Sequence, residues 1–247
     1  GRAKQVTILE NRFSKIYWGE TRNTALVREY DSSRNWYYTW LVDPDNPDID
    51  DRLLWSHSVN ERYEHPGFPL MRQLPNGKRA MRVHSNSIFL NGNGSSVEGD
   101  RPFLDKLNLG KFERERLFKC DEDSYEAVVA LLSDDGSEYV TRHETEDEHP
   151  NYYSRKVGEL ERQPLTEFKD PAKSLREVQK KLITYERADG VMLNCMLHLP
   201  AGYDLENPLP LPTILWAYPR AYTLGRMAGQ VSNSPYRFST FAGASPR

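Results

Sequence analysis

Residues 181–222, KLITYERADGVMLNCMLHLPAGYDLENPLPLPTILWAYPRAY, are the stretch whose reading decides the fold. Residues 182–188 and 191–199 alternate in part between apolar and polar side chains. Asp189-Gly190 stands between them, a dipeptide suited to the positive φ angles of a type I′ turn. Two paired antiparallel strands are therefore expected. Residues 200–204 and 207–212 are interrupted by prolines, which lack a backbone donor and restrain the residue before them, so no regular element is expected there. Residues 213–218, TILWAY, are almost uninterruptedly apolar and predict a short strand covered on both faces in a mostly parallel sheet, ended by Pro219.

Composition bounds the rest. The chain has 247 residues, 38% hydrophobic and 28% charged, which is ordinary for a soluble globular protein of one large or two modest domains. Its formal net charge of -3, with both signs interspersed, offers no polybasic field for a phosphate backbone, so nucleic acid is not an expected partner. No apolar run reaches the roughly 20 residues needed to span a bilayer, and the first residues show no signal-peptide core. Cys120 and Cys195 each sit in an apolar or strand-like segment, a setting for two packed free thiols.

Up to residue 169 short β candidates recur in groups divided by Asp, Asn, Pro and Gly turns. Residues 24–30, 35–42 and 52–55 make a first group. Residues 78–83, 87–90, 103–107 and 116–119 make a second, and residues 126–132, 138–142, 152–156 and 163–166 a third. The last strand of each group opens on or follows an arginine: Arg52, Arg116 or Arg162. A rhythm of about 40 to 60 residues per four strands marks propeller blades more than a sandwich. Three blades cannot close a ring, since propellers use roughly four to eight, so a cut piece is expected. Residues 170–180, with Pro171 near the front and Leu175 and Val178 three apart, predict a short linker helix. The Gly- and Ser-rich tail from Tyr218 reads as loop.

Five segments carry a resemblance to a known family: NGNGSSVEGDRPFLD (91–105), EAVVAL (126–131), KLITYERADGV (181–191), LPTILWAYPR (211–220) and AGQVSNSPYRF (228–238). Together they resemble glutamyl endopeptidases of the prolyl oligopeptidase clan, over nearly the whole chain. The resemblance implies a mixed fold, in which the last blades of a β-propeller that screens substrates (1–169) lead through the linker (170–180) to the first strands of an α/β-hydrolase domain (181–247). A hydrolase nucleophile sits in Gly-x-Ser-x-Gly, where small residues permit the sharp strand-to-helix turn, and the sequence contains no such pentapeptide. The triad Ser, Asp and His are thus expected in polypeptide beyond this chain, and the segment alone should be inactive.

The resemblance also assigns residues. Tyr218 matches the clan's tyrosine that donates to the oxyanion, and Arg220 is the candidate partner for a substrate glutamate, with Arg226 and Arg237 as rivals. Ser232 stands where the family has a basic residue, which puts the acidic preference in question. The expected partners are short or unfolded peptide substrates and the remainder of the same polypeptide. No cofactor or metal is called for, and the compartment implied is the plastid stroma or a bacterial periplasm or cytoplasm. An acylaminoacyl-peptidase or esterase is the alternative enzyme, and a non-catalytic binding propeller the alternative outside enzymes.

Other clusters point less far. His143-Glu-Thr-Glu-Asp-Glu-His149 has metal-type side chains but not His-Glu-x-x-His spacing, and reads as a solvated loop. Asn91-Gly-Asn-Gly-Ser-Ser lacks the Lys of a phosphate loop, and a hairpin or bulge explains its glycines; Asn93-Gly94-Ser95 also fits the glycosylation pattern. Residues 36–40, WYYTW, read as blade packing rather than a stacking platform.

Overall fold

A computed structural model describes residues 4–217 and 225–240. Nearly all of its regular structure is antiparallel β. The first sheet takes β1 (Arg12–Trp18), β2 (Ala25–Asp31), β3 (Trp36–Val42) and β4 (Arg52–Ser58) in chain order. Short pieces follow, β5 (Phe68–Pro69), β6 (Met71–Gln73), β7 (Arg79–Met81) and β8 (Val83–His84). After them come β9 (Ser87–Gly92), the ribbon β10 (Ser95–Ser96) with β11 (Gly99–Asp100), β12 (Phe103–Asn108) and β13 (Arg114–Lys119). The second sheet runs β13-β12-β9-β5, with β8 also on β9, and β6 pairs only with β7. The third returns to simple order with β14 (Tyr125–Leu131), β15 (Glu138–Glu144), β16 (Asn151–Lys156) and β17 (Arg162–Pro164). Successive four-stranded meanders of this kind are the blade unit of a propeller, here three of them.

Local chemistry sets each hairpin. Between β2 and β3, Asp31 Oδ1 accepts from Ser33 N (2.9 Å), Ser33 Oγ (2.6 Å) and Arg34 N (3.2 Å), and Asn35 takes φ 53°, a conformation its short polar side chain tolerates. Gly94 before β10 has φ 57° and its absent Cβ would lie 2.0 Å from the Arg101 carbonyl oxygen, so no other residue fits that turn.

The sheets bury their faces against one another rather than around a single centre. Tyr17 and Leu26 of the first meet Met81, Ile88, Leu90, Leu107 and Leu109 around the second. Leu70, Phe89, Leu104, Phe118 and Cys120 on the other side meet Val128 and Tyr139 of the third. Each fully buried aliphatic or aromatic side chain contributes roughly 1.5–3 kcal/mol.

Each of the three blade sheets also buries at least one carboxylate, and these are satisfied. Glu29 accepts from Trp40 Nε1 (2.9 Å) and Asn11 N (2.8 Å). Asp105, fully buried, pairs with Arg116 and Arg114. Glu126 takes a bidentate pair from Arg155 (2.7 Å at both oxygens) and the Thr141 hydroxyl. Burial works against the Arg155 charge, yet the Glu126 carboxylate outweighs it and raises the guanidinium pKa. The outer-strand arginines join this framework: Arg52 donates to the Leu109 carbonyl (2.6 Å) and so ties the first sheet to the second, and Arg162 stands 3.9 Å from Glu126.

Beyond the blades, β18 (Gln179–Glu186) and β19 (Met192–Leu199) pair as the expected hairpin. Its turn differs from type I′: only Gly190 takes positive φ (83°), Gly190 N donates to Arg187 O (2.8 Å) and Arg187 N to Val191 O (2.9 Å). This is a type I turn closed by a left-handed glycine, the three-residue form of hairpin connection.

Three other expectations are corrected. The linker helix over 170–180 is a single 3₁₀ turn at Lys173–Leu175, because Gln179 and Lys180 are already in the ladder of β18 and too few residues remain to offset helix nucleation. The expected strand 213–218 is not formed over its described residues, 213–217. Ile214, Leu215 and Trp216 are 92%, 85% and 89% exposed, since among the described residues no neighbouring strand offers that backbone a ladder. Cys195 is exposed rather than packed, whereas Cys120 is buried and accepts from Glu126 N; both are free. Strand β1 went unread in the sequence. Among the described residues no helix is long and apolar enough to cross a membrane.

Candidate functional site

The chain's second part is fastened to the blades along one seam, and carboxylates from the loop after β4, the β10–β11 ribbon and β15 hold it. Residues 229–240, which follow the short helix α1 (Gly225–Ala228), run across this seam. From the loop after β4, Glu61 Oε1 accepts from Gln230 Nε2 (2.8 Å), Arg62 N donates to Gln230 Oε1 (2.8 Å), and the Tyr63 hydroxyl accepts from Val231 N (2.8 Å). From the separate β10–β11 ribbon, Asp100 Oδ2 accepts from Asn233 N (3.1 Å), while Asp100 N donates to Asn233 O (2.9 Å). From the end of β15, Glu144 accepts from Arg237 Nε (3.2 Å) and Phe238 N (3.3 Å). Arg176 lies over the Phe238 ring and donates to the carbonyls of Glu146 (2.6 Å) and Ser239. The hairpin joins through Asn194 Nδ2, which donates to Gly229 O (2.9 Å), and through Lys180 Nζ to Arg237 O. Burial lowers the Lys180 pKa.

Two of the cavities along this seam border the loop after β4. The larger, about 720 Å³, lies between the hairpin tip (Asp189, Gly190, Met192), Tyr63 and Val97 of the blades, and Val231. The smaller, about 240 Å³, is walled by Arg62, His65, Phe68, Asn93 and Ser95. Behind it a ladder of rings runs through Tyr37, His57, His65 and Phe68, with centroids 6.0, 4.8 and 4.7 Å apart. Partners fix both tautomers. His57 Nδ1 faces the Ser58 carbonyl (2.9 Å) and must carry its proton, whereas His65 Nδ1 accepts from Gly67 N (3.0 Å), leaving its proton on Nε2. Both rings are held neutral: burial first, then the His57 ring and the Arg28 charge, pull His65 down to about 4, and burial with Arg28 lowers His57. Glu61 titrates lower than usual, because hydrogen bonds from Gln230 and the amides of Glu64, Tyr63 and Arg62 outweigh its burial.

This chain is similar to two plant proteins. One, from Oryza sativa subsp. japonica, is named "Probable glutamyl endopeptidase, chloroplastic" and is 34% identical over 257 residues, 96% of this chain. The other, of the same name from Arabidopsis thaliana, is 32% identical over 94% of this chain. The chain spans only about a quarter of the length of these curated relatives, 27% and 26% respectively. No family model matches. Among solved structures the AtxE2 isopeptidase aligns with 78% of this chain and 26% of its own, at 10% identity and a TM-score of 0.46. The sheet order described above stands without that likeness.

Of the residues singled out in the sequence, Tyr218, Arg220 and Arg226 lie outside the described side chains. Arg237 is within them and is committed to Glu144, which removes it as a free cation for substrate. The run from His143 is the expected loop only after Glu144, with Asp147 and Glu148 exposed; its first two residues end β15, where His143 is buried edge-on to Tyr153 and Glu144, 2% exposed, is one of the three docking carboxylates. Among the described residues no group of His, Cys, Asp and Glu is placed to hold a metal ion. Glu61, Arg62, His65 and Asp100 were not legible as site residues, because their roles arise from partners more than 100 residues away or across sheets.

Proposed function

We propose that this chain is the part of a serine endopeptidase of the prolyl oligopeptidase clan in which the last propeller blades meet the opening of the catalytic α/β-hydrolase domain, and that the parent cleaves peptides after acidic residues. The observation that carries this reading is the 34% identity with a protein named as a glutamyl endopeptidase, sustained over 96% of the chain. The seam supports it, since blades built to dock a second unit through Glu61, Asp100 and Glu144 suit a two-part enzyme whose substrate reaches a site between the parts.

The mechanism implied is acyl transfer. A serine supplied by polypeptide outside this chain attacks the scissile carbonyl, a histidine oriented by an aspartate takes and returns the proton, and a backbone amide with the Tyr218 hydroxyl donates to the developing oxyanion. The hairpin of β18 and β19 opens the catalytic sheet, and residues 213–218 become its next strand when neighbouring strands are present. Peptides are the partners, and the blades select them by size. Replacing Tyr218 with Phe in the full-length protein tests the assignment. The expected loss is about 10²–10³ in kcat, the usual consequence of removing one oxyanion donor. Unaltered turnover would refute the role.

A further inference from the structure

We infer that Lys180 is an acylation site, at which a thioester transfers a short acyl group to the side-chain amine, and that the modified side chain unhooks residues 229–240 from the blades.

A lysine on a sheet surface ordinarily carries its ammonium out to water. Lys180 of β18 turns toward the seam instead. Its Nζ donates to the Arg237 carbonyl, and its half-buried side chain lines a third cavity, of about 400 Å³, together with Leu175, Met196, His198 and Phe238. Glu144, Glu146 and Asp147 of the blades act on the amine through space, and so does Arg176, yet among the described residues Lys180 has no ion pair. Its hydrogen-bond partner is a neutral carbonyl. Burial outweighs the three carboxylates and, helped by the Arg176 charge, favours the neutral amine. That form has the lone pair a nucleophile needs, which an ion-paired ammonium lacks.

His198 supplies the base. It stands opposite Lys180 in the β18–β19 ladder, and such pairs share one face with Cβ atoms about 4.5–5.5 Å apart. Both side chains line the cavity, whose volume admits an acyl group beside them. The Lys180 nitrogen attacks the thioester carbonyl carbon, so that a C–N bond forms and the C–S bond breaks. The sulfur leaves with the bonding electrons, and the proton released by nitrogen passes to the His198 imidazole and on to the thiolate. An amide and a thiol are the products, with no oxidant or reductant required.

The amide is uncharged, keeps one N–H of the ammonium's three, and adds bulk where the Arg237 carbonyl now touches Nζ. Arg237 is itself a docking residue, since its Nε pairs with Glu144 (3.2 Å) and the next amide, Phe238 N, donates to the same carboxylate (3.3 Å). Displacing Arg237 therefore loosens both contacts at once.

The test uses the full-length protein and S-acetyl-N-acetylcysteamine as the thioester, with mass spectrometry comparing initial acetylation of Lys180 and Lys181 at neutral pH. Lys181 is exposed and adjacent in the same strand, which makes it the internal reference. Lys180 is expected to react roughly threefold faster than Lys181, and His198→Gln to remove that advantage while leaving the Lys181 rate unchanged. Equal or slower reaction at Lys180, or an advantage that survives in His198→Gln, overturns the site. Hydrogen exchange then reads the consequence: the Phe238 and Asn233 amides should exchange faster in the acetylated protein and in Lys180→Gln than in wild type or Lys180→Arg, with the β9–β12 ladder still protected. Unchanged exchange at Phe238 in both the acetylated protein and Lys180→Gln overturns the undocking.

Discussion

Glu144→Gln isolates the docking of residues 229–240 from the folding of the blades. The carboxylate is almost fully buried and serves Arg142 (3.1 Å), Arg237 (3.2 Å) and Phe238 N (3.3 Å). The side chains of Arg142 and Arg237 are 32% and 42% exposed, so each ion pair is worth about 0.2–1 kcal/mol, as at a surface. The Phe238 amide is buried, and losing a charged acceptor for a neutral one costs about 1 kcal/mol. The Arg142 pair lies within β15, so the docked segment loses only the Arg237 pair and the Phe238 acceptor, about 1.5 kcal/mol, a roughly tenfold rise in its open population. Native-state hydrogen exchange reads this directly. The amides of Phe238 and Asn233 should exchange about tenfold faster, while those in the ladder between β9 and β12, which Glu144 does not touch, should change little. Equal acceleration of both sets, or none at Phe238, would refute the view that Glu144 acts as a local dock.

Acid should weaken the fold through the ring ladder. The folded pKa of His65, about 4, lies below its unfolded value of 6.5, so the unfolded chain binds the extra proton in that window; the stability is fully present above 6.5 and is lost as pH falls toward 4. Arg28 and His57 favour the neutral ring and Glu61 opposes them, and with partial hydration of the ring the loss is about 2 kcal/mol, measured as a urea midpoint that drops between pH 7 and pH 4.5 and flattens in His65→Gln. Gly136→Ala should destabilise by about 2 kcal/mol or more in the same assay, because φ is 81° and the added Cβ would stand 2.3 Å from Phe89 Cε1 in the core.

What the sequence disclosed follows from where each signal resides. The blade rhythm was legible because it is local: β2, β3, β12, β14 and β15 carry β-branched and aromatic residues between Asp, Asn and Gly turns, and the turn chemistry lies in the same few residues. Strand β1 was missed because it is mostly exposed and its apolar positions do not alternate cleanly. The apolar run 213–217 is as strand-like as any in the chain, yet a strand exists only where another edge supplies its hydrogen bonds, which composition does not report. The docking carboxylates escaped for a related reason. Asp100 and Glu144 look like turn and loop residues until Asn233, Arg237 and Phe238 are brought to them from about a hundred residues downstream.

Cleavage mapping by mass spectrometry, on the full-length protein incubated with a mixture of short peptides with and without a serine-directed fluorophosphonate, bears most directly on the proposed activity. The account predicts cuts after glutamate that the reagent abolishes together with stoichiometric labelling of one serine. Intact peptides, or cuts indifferent to the reagent, would contradict it.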